Sequence, residues 1–110
     1  MVAVLANRHT ELAALCARFG VRRLEVFGSA ATEDEFDEAT SDIDMIVAFR
    51  DDQDLGPWLT SYFACRDALS RLFGYPVDLV MSSAMKNPHF IREANRTRKL
   101  LYASEEPQAP

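Results

Sequence analysis

The stretch "DIDMIVAF", residues 42–49, constrains this chain more than any other. From Ile43 to Phe49 it is almost continuously apolar, the pattern of an interior strand covered on both faces. Yet two carboxylates, Asp42 and Asp44, stand at its mouth. In a strand, alternate positions point to the same side, so the two acids would be neighbours. Each then raises the cost of ionising the other, and a charge in an apolar frame is costly unless something pairs with it. A third acid, Asp78, sits inside "PVDLV" and could reach the same face. Hard carboxylate oxygens suit a divalent cation such as Mg2+, which retains water and bridges to phosphates. A lone D-x-D also fits a solvated strand end, so the three positions together, and none singly, point to a metal site.

Around this strand the chain alternates. Leu5, Leu12, Leu15, Cys16 and Phe19 fall on one helical stripe, predicting a helix over about 4–19 stopped by Gly20. "VRRLEVFGS" reads as a strand with Leu24 and Val26 on one face, and residues 30–41 read as a polar loop. A second helix is expected from about Pro57 to Phe73, with Gly74 at its exit and Trp58 and the phenylalanines as core material. "YPVDLVM" is a third strand, Asn87 and Pro88 open a third helix to about Thr97, and "LLYAS" adds a last strand. The order α-β-loop-β-α-β-α-β implies an α/β (α+β) domain, a small mixed β-sheet with helices on at least one face. One domain over residues 1–103 is expected, with 104–110 a disordered tail.

Composition narrows the function. With 110 residues and 48% hydrophobic content the chain can build one core. No run approaches the roughly 18 apolar residues of a membrane span, no signal peptide is evident, and Cys16 and Cys65 lack metal spacing, so a cytoplasmic protein with no membrane partner is expected. A net charge of −5 argues against direct nucleic-acid binding. The charge is uneven, however. Residues 33–44 carry seven acids and no base, while residues 86–99 carry five bases, Lys86, Arg92, Arg96, Arg98 and Lys99, against Glu93. No P-loop or dinucleotide fingerprint is present, and His9 and His89 have no partner at zinc spacing. Gly28-Ser29 ends the first strand, where a glycine lets backbone approach a ligand and a serine hydroxyl can meet a phosphate oxygen.

Taken in order, "FGSAA" (27–31), "SDIDMIV" (41–47) and "PVDLV" (76–80), with the closing "NPHFIREANRTRKLLYAS", resemble the minimal nucleotidyltransferases (MNT) of the DNA polymerase β superfamily. The likeness runs from about residue 21 to 103. It implies a nucleotidyltransferase fold with helices mainly on one face and a transferase that moves a nucleoside monophosphate, AMP from ATP, onto a hydroxyl. By the same resemblance Gly28 and Ser29 would be nucleotide-binding, and Asp42 and Asp44 would hold Mg2+, as two ions. Asp78 would complete that metal site or act as general base. The basic stretch from Arg92 to Lys99 would offset a solvent-facing acidic loop at 33–38. Minimal members of this group are often antitoxins of toxin–antitoxin systems whose partner is a HEPN-type toxin, neutralised by AMPylation or, alternatively, by contact alone with a silent site.

Overall fold

The computed structural model describes residues 2–32, 36–37 and 41–104. The apolar run forms β2 (Ile43–Phe49), and it is interior: Ile43, Met45 and Val47 are buried on one face and Ile46 on the other. It lies between β1 (Val21–Phe27), antiparallel to it, and β3 (Val77–Met81), parallel to it. The last strand, β4 (Lys99–Ala103), pairs antiparallel with the far side of β1, giving the order β3-β2-β1-β4. A parallel neighbour needs a crossover, and α4 (Thr60–Phe73) supplies it between β2 and β3.

The core lies on one face of this mixed sheet. Leu24 and Val26 of β1, Ile43, Met45 and Val47 of β2, and Val77 and Leu79 of β3 pack against Leu12 and Cys16 of α2 (His9–Phe19) and Cys65, Leu69 and Phe73 of α4. Both cysteines are free thiols inside this core, and burial pushes each up to about 12, so neither is a nucleophile near neutral pH. No helix among the described residues is long and apolar enough to cross a membrane.

Four expectations need correction. The first helix is two pieces, α1 (Ala3–Ala6) and α2, because residues 6–11 bury no side chain that would hold a continuous helix to the core. The expected loop at 30–41 begins instead with a single helical turn, α3 (Ser29–Thr32), whose Ala30 and Ala31 are buried. The second helix is regular only from Thr60. Before it, Trp58 and Leu59 take left-handed backbone angles in a 3-10 turn, and Trp58 is 95% exposed rather than core. Part of the basic stretch, Arg98 and Lys99, is engaged in holding the chain together. The expectations for Glu33, Asp34, Glu35 and Glu38 of the acidic loop, and for the tail beyond Ser104, lie outside the described residues.

The opposite sheet face carries a buried acid. Glu25 is 7% exposed and accepts two hydrogen bonds from the Arg98 guanidinium, at 2.7 and 2.9 Å, with Arg23 at 3.3 Å. Arg98 precedes β4 and follows α5 (Pro88–Asn95), so the pair ties the C-terminal segment to the central strand. Arg96 pairs with Glu93, and Lys99 donates to the Ala31 carbonyl.

The Arg98 hydrogen bonds hold Glu25 below the usual carboxylate range, against the opposing effect of its burial. A depressed pKa contributes stability above the unfolded value of about 4.5, lost as pH falls through the folded value. Arg98→Ala would leave a buried charge without its main partner and is expected to cost about 3 kcal/mol at pH 7. Urea denaturation should show the deficit shrinking as pH falls below about 4.5. An unchanged midpoint at pH 7 would contradict this role.

Candidate active site

Strand register assembles the site. Phe27, the last residue of β1, is the cross-strand partner of Asp44, and Asp44 is in turn the partner of Asp78 on β3. Cross-strand partners project from the same face. Since Ile43 and Met45 face the core, Asp44 faces away from it, and Asp78, Asp44 and Phe27 form one row across three strands. Asp42 lies two residues before Asp44, exposed just ahead of β2.

The chain turns sharply beside this row. Gly28 has φ +73, and a Cβ placed on it would sit 3.0 Å from Asp44 Oδ2. Any side chain here would meet both backbone strain and the carboxylate. The Gly28 N–H donates to Thr97 Oγ1 at 2.8 Å, and its carbonyl accepts from the Ala31 N–H at 3.1 Å. The Gly28-Ser29 turn is thus pinned on one side to α3 and on the other to the segment after α5. Gly28's own amide is taken, while the adjacent, half-buried Ser29 carries a hydroxyl that can donate to an anion. Thr97 lies 69 residues from Gly28, and no local sequence pattern marks it.

At the far side of the row, Tyr62 of α4 donates its hydroxyl to the Leu79 carbonyl, fixing the β3 edge to the helix layer. Its phenol is pushed up, chiefly by burial, with Asp78 adding to the rise and Arg66 opposing it.

Electrostatics single out Asp44. Its carboxyl is raised to about 6, first by burial, then by Asp78 and Asp42. Among the described residues no salt bridge reaches any of the three aspartates. No group of three His, Cys, Asp or Glu side chains among those residues is gathered closely enough to hold a metal ion. The donor chemistry nevertheless fits a hard divalent cation. Uncharged partners would not relieve the repulsion that Asp78 and Asp42 add to the effect of burial at Asp44, whereas positive charge would.

Comparison with known proteins places the chain in a family. The family described as polymerase beta, nucleotidyltransferase matches residues 11–107. MJ0128 of Methanocaldococcus jannaschii, named as a candidate protein adenylyltransferase, is 36% identical over 85 residues, covering 77% of this chain and 79% of that protein. Protein adenylyltransferase MntA of Thermococcus cleftensis is 37% identical over 70 residues, covering 64% of this chain and 65% of that one. Among solved structures, a candidate minimal nucleotidyltransferase superposes with a TM-score of 0.65 at 30% identity, covering 86% of this chain and 90% of that chain. Two more distant structures share the fold alone. One is a toxin–antitoxin with AMP-PNP, with a TM-score of 0.63, 18% identity, and 88% and 74% of the two chains covered. The other is a tri-AMPylated Shewanella oneidensis HEPN toxin with its MNT antitoxin, with a TM-score of 0.60, 16% identity, and 92% and 74% covered.

The raised carboxyl has a measurable consequence in chelator. Because Asp44 titrates at about 6 when folded and near 3.8 when unfolded, ionising it opposes folding. That penalty is absent below about pH 4, grows as pH rises, and is complete above the folded value. Asp44→Asn removes it, so the variant should be more stable than the parent by about 1–2 kcal/mol at pH 8, a figure reduced for the partial exposure of the site. The gain should vanish near pH 4, as thermal melts at the two pH values would show. A variant less stable than the parent at pH 8 would contradict this reading of the site.

Proposed function

Because the chain belongs to the polymerase β nucleotidyltransferase family, we propose that it is a protein adenylyltransferase, moving AMP from ATP to a hydroxyl of a protein partner. The observation that carries the proposal is the convergence of Gly28-Ser29 with Asp44 and Asp78 on one sheet face. In the proposed reaction the acceptor hydroxyl oxygen forms a bond to the α-phosphorus of ATP. The bond between that phosphorus and the α–β bridging oxygen breaks, pyrophosphate leaves, and the hydroxyl proton passes to a carboxylate or to solvent.

Gly28 lets the backbone lie close to the phosphates, and Ser29 offers its hydroxyl to one of their oxygens. Asp42, Asp44 and Asp78 would hold Mg2+, as two ions, which supplies charge neutralisation and orientation of the triphosphate. Asp78, exposed at the row's outer end, is the carboxylate best placed to accept the proton. The partner proposed is a HEPN-type toxin, for which this chain would serve as a cytoplasmic antitoxin. Support comes from the named activity of the sequence relatives and from the shared fold with toxin–antitoxin complexes.

Asp44→Asn is expected to lower AMP transfer to the partner by about a hundredfold or more while the variant still folds and still binds that partner. Transfer of radiolabelled AMP, followed with the co-purified partner, measures it. Full transfer by the variant would exclude this site. Neutralisation that survives in the triple variant Asp42→Asn/Asp44→Asn/Asp78→Asn would replace catalysis with masking by contact.

A further inference from the structure

Large apolar side chains reach solvent mainly at the start of α4. Of the four that are exposed among the described residues, Trp58, Leu59 and Phe63 lie within six positions, and the fourth, Leu100, is on β4. Leu59 caps α4, Phe63 lies on its first turn, and Trp58 stands just before it. Trp58 and Leu59 hold left-handed backbone angles that residues other than glycine adopt only under strain. The turn is nevertheless held. The Gly56 N–H donates to Asp54 Oδ1 at 2.8 Å, the Ser61 N–H donates to the Leu55 carbonyl at 2.9 Å, and the Thr60 hydroxyl donates to the Pro57 carbonyl. None of these bonds uses the indole, so a strained backbone is fixed in a shape that turns a tryptophan outward, which packing does not explain.

The patch adjoins the aspartate row. Phe63 meets Tyr62 edge to face at 4.9 Å, and Tyr62 donates to the carbonyl of Leu79, next to Asp78 on the edge strand β3. We propose that Trp58, Leu59 and Phe63 dock the protein that accepts AMP, so that its hydroxyl meets the row from the β3 edge, an inference that rests on the function proposed above. Charge sets the chemistry of that partner. Asp51, Asp52 and Asp67, the acids before and after the patch, pair with Arg22, Arg50 and Arg66, and Arg66 also lies over the Phe63 ring at 5.0 Å. No salt bridge among the described residues reaches Asp54, exposed just ahead of Trp58. The complementary surface is therefore apolar, with a Lys or Arg to meet Asp54. A second copy of this chain is the poorer fit, because a two-fold contact would bring the same acidic rim together in a protein of net charge −5.

Trp58 is the chain's one tryptophan, so fluorine NMR of the full chain labelled with 5-fluorotryptophan reads this residue alone. The probe is the partner protein that co-purifies with the full chain, separated and added back. Adding it should shift the signal, whereas raising the concentration of the chain alone should not. Trp58→Gly relieves the left-handed strain and should melt no lower than the parent, with its affinity for a non-hydrolysable ATP analogue and Mg2+ unchanged. It should raise the partner's dissociation constant and its KM in AMP transfer about tenfold, with kcat nearly unchanged. Asp54→Asn keeps the acceptor for the Gly56 N–H, removes the charge, and should weaken partner binding about threefold. A partner that binds without moving the Trp58 signal, or equally well to Trp58→Gly, would overturn the docking surface and leave the proposed transfer standing. A lower melting temperature in Trp58→Gly would make the residue structural and overturn it too, as would a signal that moves with chain concentration alone. Unchanged binding by Asp54→Asn would overturn the basic partner. Binding through Trp58 with no AMP transferred would remove the proposed activity and leave the surface.

Discussion

The turn at Gly28 is the constraint on which the rest of the site depends. The central strand β1 must end, reverse into α3 and still leave room for the Asp44 carboxylate on the neighbouring strand. Only a residue without a side chain does all three, because a Cβ would sit 3.0 Å from Oδ2 in a left-handed backbone conformation. Once the turn is made, Ala30 and Ala31 drop into the core and anchor it from below. The Thr97 hydroxyl caps the Gly28 amide and anchors it from the side. The loop that carries Ser29 is therefore set by packing and by one long-range hydrogen bond, as a preorganised anion site requires.

Two acids on the same sheet face have opposite fates. Glu25 is almost fully buried, yet Arg98 and Arg23 hold it ionised and its pKa is depressed. Asp44, two strand positions along on the neighbouring strand, is raised to about 6, first by burial and then by Asp78 and Asp42. Burial raises both acids, and only Glu25 has a cation to oppose it. The difference lies in partners: the structural acid brings its own cation, while the site acid has other acids. An unfavourable arrangement of this kind, beside a paired acid that shows how the same fold neutralises charge, is typical of functional sites, and on the proposed function it is the row that would hold Mg2+.

The strands and aspartates were legible in the sequence because they rest on local signals. Continuous apolarity marked β2 as interior, and the period of two turned Asp44 away from the core and framed Asp78 between Val77 and Leu79, while Asp42 lies just ahead of the strand. What the sequence did not disclose depends on distance or on shortness. The Glu25–Arg98 pair and the Gly28–Thr97 hydrogen bond join residues 73 and 69 positions apart. Glu25 itself reads as an ordinary polar strand residue. The α3 turn spans four residues, too few for any periodicity, and Asn7 and Arg8 interrupt a stripe whose apolar members still fit a single helix. Trp58 was assigned to the core by its chemistry, but the left-handed turn at 58–59 carries it into solvent.

The fate of the basic residues bears on how this site would meet a triphosphate. Five bases between positions 86 and 99 suggest a reservoir of positive charge close to the site. In the fold, Arg98 is paired with Glu25 and Lys99 donates to the carbonyl of Ala31, both holding the C-terminal segment in place, while Arg96 makes an exposed pair with Glu93 three residues before it. Arg92 and Lys86 of that stretch are exposed, on and just before α5. The chain thus commits Arg98 and Lys99 to its own structure, and the row itself stays acidic. On the proposed function, positive charge at the phosphates has to arrive with the nucleotide, as Mg2+, or with the partner protein. Triphosphate binding by the isolated chain is then coupled to metal binding, since the same cation relieves the repulsion at Asp44 and screens the phosphates from it.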